Sequence, residues 1–284
     1  MKPLISVDDL AQLMDTAPDL VLLDARPGNS YASSHLRGAR HADLETQLSA
    51  ARDDNADPQR GGRHPLPEFD RWLQTLGKWG ISPSTTVVIY DDQQGANAAG
   101  RAWWMLRAVG HQDVAVLDGD WRSLPATSDE PEFLALPRYP ATSWQLPRVD
   151  MDRVDALRQD DAWRVLDVRS RERYRGETEP IDPIAGHIPG AINLPFAENM
   201  IEGRFKSPDE LRAQYRELFG DVPVERVVVH CGSGVTACHT LLALEYAGLR
   251  GAALYVGSWS EWCRNDQMPR ADRSSFPSST GGHQ

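Results

Sequence analysis

One cysteine of this chain is set up for chemistry. Residues 227–237 read Val-Val-Val-His-Cys-Gly-Ser-Gly-Val-Thr-Ala. Val227 to Val229 form an apolar β-branched run, the signature of a buried strand. Cys231 comes just after it, then Gly232 and Gly234, and an apolar-periodic helix is predicted from Val235 to Leu249. A strand, a tight glycine loop and a helix start therefore follow one another. In open α/β sheets, that junction lies at the carboxyl end of the strand, where ligands bind. Successive backbone N–H groups and a helix N-terminus aimed at a cysteine sulfur favour thiolate over thiol and can hold an anion. A lone cysteine is more often an inert core residue, and Cys238 is read that way, two helical turns further on. Cys263, after Trp262, is read as partly exposed and uninvolved. His230 and His239 are read as structural, and Trp103 and Trp104 as packing residues.

The elements around this loop follow from patterning. Asp8 or Asp9 can cap a short helix from Leu10 to Met14, and Leu20 to Leu23 reads as a buried strand ending at Asp24-Ala25-Arg26. Residues 50–66 read as an exposed polar excursion. A helix from Pro67 to Leu76 follows, then a strand at Val87 to Tyr90, a helix from Ala96 to Val109 stopped by Gly110, and a strand at Val114 to Leu117.

The second half repeats this plan. Asp24 recurs as Asp167, 143 residues on, and His35 as His187, 152 on. Val87 recurs as Val227, 140 on, while Gly110 and Gly119 recur as Gly248 and Gly257, each 138 on. Landmarks kept in order at similar spacing indicate a duplicated domain. Strands alternating with helices give each copy a parallel sheet with helices on both faces, so the fold class is α/β. The expected divisions are a first domain at 1–124, an inter-domain linker at 125–150, a second domain at 151–273 and a disordered Ser/Gly-rich tail at 274–284. The copies differ where it matters: Asp91 stands in the first where Cys231 stands in the second. An aspartate cannot accept a sulfur atom and repels anions, so the chemistry is expected in the second domain, in the cleft between the two.

Composition narrows the class. The 284 residues carry a net charge of −11, which argues against nucleic acid or a polybasic membrane contact as partner. No apolar run approaches the length of a membrane span, and the first ten residues lack the apolar region of a signal peptide. Three cysteines without a C-x-x-C pair fit neither a disulfide framework nor a zinc site. No metal or organic cofactor is expected, and a reducing cytoplasm is the expected location.

These residues resemble the rhodanese-like sulfurtransferases of the tandem two-domain type, over about residues 5–265. The resemblance rests on Leu23-Asp24-Ala25-Arg26, Tyr90-Asp91, Trp103-Trp104 and Leu117-Asp118-Gly119 in the first copy. In the second it rests on Asp167-Val168-Arg169, Arg173-Tyr174, Gly186 to Ala191, Cys231 to Thr236 and Gly257-Ser258-Trp259. It implies that Cys231 takes up sulfane sulfur as a persulfide, with Gly232, Gly234, Val235 and Thr236 supplying the backbone cradle. The acceptor would be a thiol, a thioredoxin-like protein or cyanide.

Within the family, thiosulfate enzymes carry basic residues after the cysteine, and mercaptopyruvate enzymes carry Gly-Ser, as at Gly232-Ser233. The physical reading agrees, since a dianion such as thiosulfate calls for nearby Lys or Arg. The resemblance further implies that Ser233 works with Asp43 and His64 of the first domain and that Arg173 pairs with the donor's carboxylate. The chain departs from the family pattern at Glu179-Pro180-Ile181-Asp182-Pro183, where a second Arg is usual; Arg175 is the nearest replacement.

Three other readings compete with mercaptopyruvate transfer. Thiosulfate could be the donor by the same Cys231 mechanism. A phosphatase loop shares this topology but needs an Arg six residues after its Cys, and that position is Ala237. A non-catalytic sulfur-binding or sensor module has no need of a complete cysteine loop.

Overall fold

The computed structural model describes residues 1–96 and 98–272, so the expected tail at 274–284 lies outside the described residues. The first half has strands β1 (Leu4–Ser6), β2 (Leu20–Asp24), β3 (Arg40–His41), β4 (Thr86–Tyr90) and β5 (Val114–Asp118). The second has β6 (Arg148–Val149), β7 (Arg164–Asp167), β8 (Ile192–Asn193), β9 (Val227–His230) and β10 (Ala253–Tyr255). Their spatial orders are β1-β5-β4-β2-β3 and β6-β10-β9-β7-β8, which is the same order twice. Every neighbouring pair in both sheets is parallel. The central strands are buried on both faces, which is why they are unbroken β-branched and leucine runs rather than alternating ones.

The helices are α1 (Val7–Thr16), α2 (Gly28–Ser33), α3 (Phe69–Lys78), α4 (Ala99–Ala108), α5 (Met151–Leu157), α6 (Arg171–Tyr174), α7 (Pro208–Phe219), α8 (Thr236–Tyr246) and α9 (Ser258–Trp262). Several expected bounds shift at the ends: α3 runs two residues later than 67–76 at both ends, and α4 and α8 are shorter than the expected 96–109 and 235–249. Helix α1 is capped by Ser6, whose hydroxyl accepts from the Asp9 N–H, and not by Asp8 or Asp9. It also begins three residues before the expected Leu10, because β1 delivers the chain directly into it. Helix α7 carries a full capping box between Ser207 and Glu210.

The duplication extends to side-chain detail. Arg26 forks onto Asp24 (Nη2–Oδ2 2.6 Å), and Arg169 forks onto Asp167 in the same way (2.6 Å). His35 stacks on Tyr31 and bonds its carbonyl, as His187 does with Tyr174, with ring centroids 4.0 Å apart in both.

The two halves meet along α4 and α8, which pack on each other in one continuous apolar core. Gly100 permits that approach: a Cβ there would lie 3.1 Å from the His239 backbone nitrogen. Trp103 and Trp104 are both 1% exposed in this core, each worth on the order of 3 kcal/mol in burial. Because α8 starts at Thr236, its docking against α4 places the preceding cysteine loop at the domain boundary.

Candidate active site

The Cys231 loop is shaped by what its backbone must avoid. Gly234 has φ of +74°, and a Cβ there would sit 2.4 Å from the Val256 carbonyl oxygen, so only glycine fits. The carbonyls of Cys231 and Gly232 accept from the N–H groups of Trp259 (3.0 Å) and Ser260 (2.8 Å) in α9. Those carbonyls are tied away from the sulfur, and the Gly234 N–H reaches Cys231 Sγ at 3.1 Å. The Cys231 N–H itself donates to Ser258 Oγ at 3.1 Å. Val235 and Thr236 carry the chain from the loop into the first turn of α8. Cys231 is 1% exposed. The Gly234 N–H on the sulfur and the start of α8 just beyond it are donor-rich surroundings of the kind that can hold an anion.

Ser233 and His64 are brought together across the domain boundary, with Ser233 Oγ 2.8 Å from His64 Nδ1. The other ring nitrogen, Nε2, lies 3.0 Å from Glu45 Oε1. The expected partner, Asp43, is engaged elsewhere: its Oδ1 accepts from the N–H and the hydroxyl of Thr46 at 2.9 and 2.7 Å. It acts as the cap of the turn that aims Glu45, so Glu45 stands in the position expected of Asp43. Burial pushes the His64 imidazole below its ordinary value, with Glu45 acting in the opposite direction. A neutral ring donating from Nε2 to the Glu45 carboxylate leaves Nδ1 as acceptor for the Ser233 hydroxyl.

Arg173 lies over the loop, where a Cβ on Gly232 would meet its Nη2 at 3.4 Å. Its guanidinium also bonds Glu179 (Nη2–Oε1 2.7 Å). Burial works against the Glu179 carboxylate, but Arg173 and the backbone N–H groups of Asp182 and Ile181 hold it below its usual range.

A second guanidinium, which the sequence reading did not find, sits beside it. Arg63 Nη2 would lie 3.1 Å from the same Gly232 Cβ, while Arg63 Nε bonds the buried Asp182 at 3.0 Å. Arg175, the replacement considered above, is exposed. The loop itself carries no cation, as its residues indicate, yet two guanidiniums from different domains face it.

Arg63 and His64 arrive there because the 50–66 excursion is only partly exposed. Its middle is in solvent, but its last turn docks on α9: the Gly61 N–H donates to Glu261 Oε1 (2.7 Å) and the Arg63 N–H to Ser260 Oγ (3.0 Å). The backbones approach so closely that a Cβ on Gly62 would fall 2.3 Å from the Gly257 carbonyl oxygen.

The first-domain counterpart of the loop is filled by its own side chain. Asp91 accepts from the backbone N–H groups of Gln93 (2.8 Å), Gly95 (2.9 Å), Ala98 (3.2 Å) and Ala99 (3.1 Å). Its carboxylate occupies the amide nest that faces a sulfur in the second domain. Cys238 is fully buried, and burial raises its thiol to about 12, so it stays protonated against the Gly234 carbonyl (3.3 Å). Cys263 is also fully buried rather than partly exposed, because α9 packs it under Trp259 and Trp262.

Two tandem parallel-sheet domains with a cysteine cradle in only one of them define a class. The family model described as rhodanese-like domain matches residues 6–125 and again 150–265, and the chain belongs to the rhodanese-like family. Among its relatives, the probable 3-mercaptopyruvate sulfurtransferase of Pseudomonas aeruginosa is 39% identical, across 94% of this chain and 97% of that one. The putative thiosulfate sulfurtransferase SseB of Mycobacterium tuberculosis is 36% identical, across 94% and 95%. Among solved structures, 3-mercaptopyruvate sulfurtransferase from Leishmania major superposes with a TM-score of 0.78 at 28% identity, covering 93% of this chain and 74% of that one.

Proposed function

We propose that this chain is a sulfurtransferase that moves sulfane sulfur from 3-mercaptopyruvate to a thiol, a thioredoxin-like protein or cyanide through a persulfide on Cys231. The observation that carries this reading is the Ser233–His64–Glu45 chain beside the Cys231 cradle. The Cys231 thiolate attacks the donor sulfur. An S–S bond forms, the donor C–S bond breaks, and pyruvate leaves as its enolate. The proton of the transferred S–H passes through Ser233 and His64 to the enolate, leaving anionic persulfide and pyruvate. The Gly234 N–H and the start of α8 stabilise that anion. Arg173 and Arg63 pair with the donor carboxylate. Attack by cyanide or a thiol on the outer sulfur returns the Cys231 thiolate. A reducing compartment such as the cytoplasm suits three free thiols. Among the described residues, no helix is long and apolar enough to cross a membrane.

The pairing of Arg63 with Arg173 favours thiosulfate as a second donor, since two guanidiniums could neutralise part of a dianion. Side-by-side kcat/KM values with cyanide as acceptor decide between them. The proposal expects the larger value for mercaptopyruvate, and a larger value for thiosulfate would transfer the assignment to it.

A further inference from the structure

Helix α4 carries an arginine in its first turn, flanked by Ala99, Gly100, Ala102, Trp103 and Trp104. Arg101 is 0% exposed. Among the described residues no carboxylate lies within ion-pair distance of it. Its Nη1 donates to the Gly234 carbonyl (3.1 Å) and its Nη2 to the His64 carbonyl (3.0 Å), while its Nε is buried without a hydrogen-bond partner. A buried guanidinium that meets two neutral carbonyls and a neutral thiol, with no carboxylate, is costly to bury. The nearest sulfur of the loop is one residue from that bond: Gly234, whose carbonyl Arg101 holds, places its own N–H on Cys231 Sγ at 3.1 Å. Cys238, which also faces Arg101, is held as a thiol by burial.

The two carbonyls that Arg101 holds belong to the two halves of the site. Gly234 is the turn residue of the cysteine loop, and fixing its carbonyl fixes the plane of the 234–235 peptide and the direction of the Val235 N–H. His64 is the ring that meets Ser233.

We propose that Arg101 is a positioning residue of the sulfur site, clamping the Cys231 loop to the His64 segment and supplying the buried positive charge that faces the Cys231 sulfur anion. The inference rests on Cys231 being the sulfur-carrying nucleophile. The other charged and titratable groups around this loop are Arg169 in its ion pair with Asp167, His230, which burial holds toward its neutral form, and Arg63 and Arg173 beside Gly232 with their partners Glu179 and Asp182. Each of those arginines has a carboxylate partner, and Arg101 has none among the described residues.

The test uses the full-length chain and alkylation by iodoacetamide, in which the thiolate forms an S–C bond and releases iodide. Adduct on Cys231 is followed by mass spectrometry across pH in wild type, Arg101→Lys, Arg101→Gln and Arg101→Met, with thermal melts as the folding control. Lys and Gln both lose the two-armed fork, and only Gln and Met lose the charge. The alkylation midpoint is expected to rise by about one pH unit or more in the Gln and Met variants, and to stay within about 0.3 unit of wild type in the Lys variant. Turnover in all three should fall in kcat, by about tenfold or more, with KM for mercaptopyruvate changed less than about twofold. A folded Gln or Met variant with the wild-type midpoint overturns the proposal, as does a Lys variant whose midpoint rises. If neither neutral variant folds, the Lys variant's midpoint and its KM-against-kcat split decide. A wild type that alkylates at Cys231 but never gains sulfur from mercaptopyruvate would instead refute the sulfur-transfer reading, because alkylation needs no donor.

Discussion

Replacing Ser233 by alanine removes one oxygen from a chain of three side chains. In the native site that hydroxyl sits 2.8 Å from His64 Nδ1, and His64 is fixed in turn by Glu45 at 3.0 Å. The variant keeps the Cys231 cradle, since the Gly234 N–H, the Ser258 hydroxyl and the α9 N–H groups bond the backbone or the sulfur and not Ser233. Sulfur capture should survive while the proton's route to the enolate is cut. A positioned acid–base group contributes about a hundred- to ten-thousandfold, and water can replace part of it. The expected loss in kcat/KM on mercaptopyruvate is therefore about ten- to a thousandfold, near 3 kcal/mol at about a hundredfold. On thiosulfate the leaving group is sulfite, which departs without a proton, and the loss should stay within about threefold. Thiocyanate formation from cyanide measures both donors in one assay. Leaving His64 Nδ1 unpartnered should cost about 1–3 kcal/mol of stability, so the melt is recorded to show that the variant remains folded at the assay temperature. Equal losses on the two donors would refute the proton-relay reasoning.

Other perturbations separate neighbouring roles. Glu45→Gln should lower kcat on mercaptopyruvate by about tenfold or more, whereas Asp43→Ala should act mainly on the melt, costing about 1 kcal/mol as a turn cap; steady-state rates with parallel melts check this, and the opposite ranking would restore Asp43 to the relay. Asp91→Cys should give no persulfide on the new cysteine, because the following Asp92-Gln93-Gln94-Gly95 lacks the Gly-x-Gly turn and Asp92 is tied to Arg122 at 2.9 Å; peptide mapping after donor treatment checks this. Burial lowers the His64 pKa from 6.5, so the neutral ring persists below the ordinary histidine range and protonation is the inactivating event. The acid limb of kcat/KM on mercaptopyruvate should therefore have its midpoint below 6.5, as a pH–rate profile will show.

The fold was readable because its signals are local and occur twice. The β-branched runs of β4 and β9, the Asp-x-Arg corners and the closing glycines each announce an element within a few residues, and their recurrence gives the duplication. Cys231, Gly234 and Ser233 were readable for the same reason, since one loop carries them all. The remaining site residues depend on contacts between distant segments. Asp43 and Glu45 are two residues apart, and only the Thr46 turn decides which carboxylate reaches His64. Arg63 faces Gly232 only because the end of the excursion docks on α9, a contact with no periodic signature. Arg101 did leave a trace: an arginine amid small and aromatic residues, in a helix otherwise suited to full burial, is a charge with a purpose. The docked loop also bears on donor choice: a side chain added at Gly232 would meet Arg63 and Arg173 at contact distance, so a basic residue there, of the kind thiosulfate enzymes carry after the cysteine, would crowd like charges.

The most direct test of a Cys231 persulfide is the mass of the intact protein after incubation with mercaptopyruvate and removal of excess donor. Wild type is predicted to gain about 32 Da, one sulfur atom, mapped to Cys231 and discharged by cyanide. Cys231→Ser should gain nothing, while Cys238→Ala and Cys263→Ser charge as wild type does. An unchanged wild-type mass, or a gain that persists in Cys231→Ser, would contradict a Cys231 persulfide.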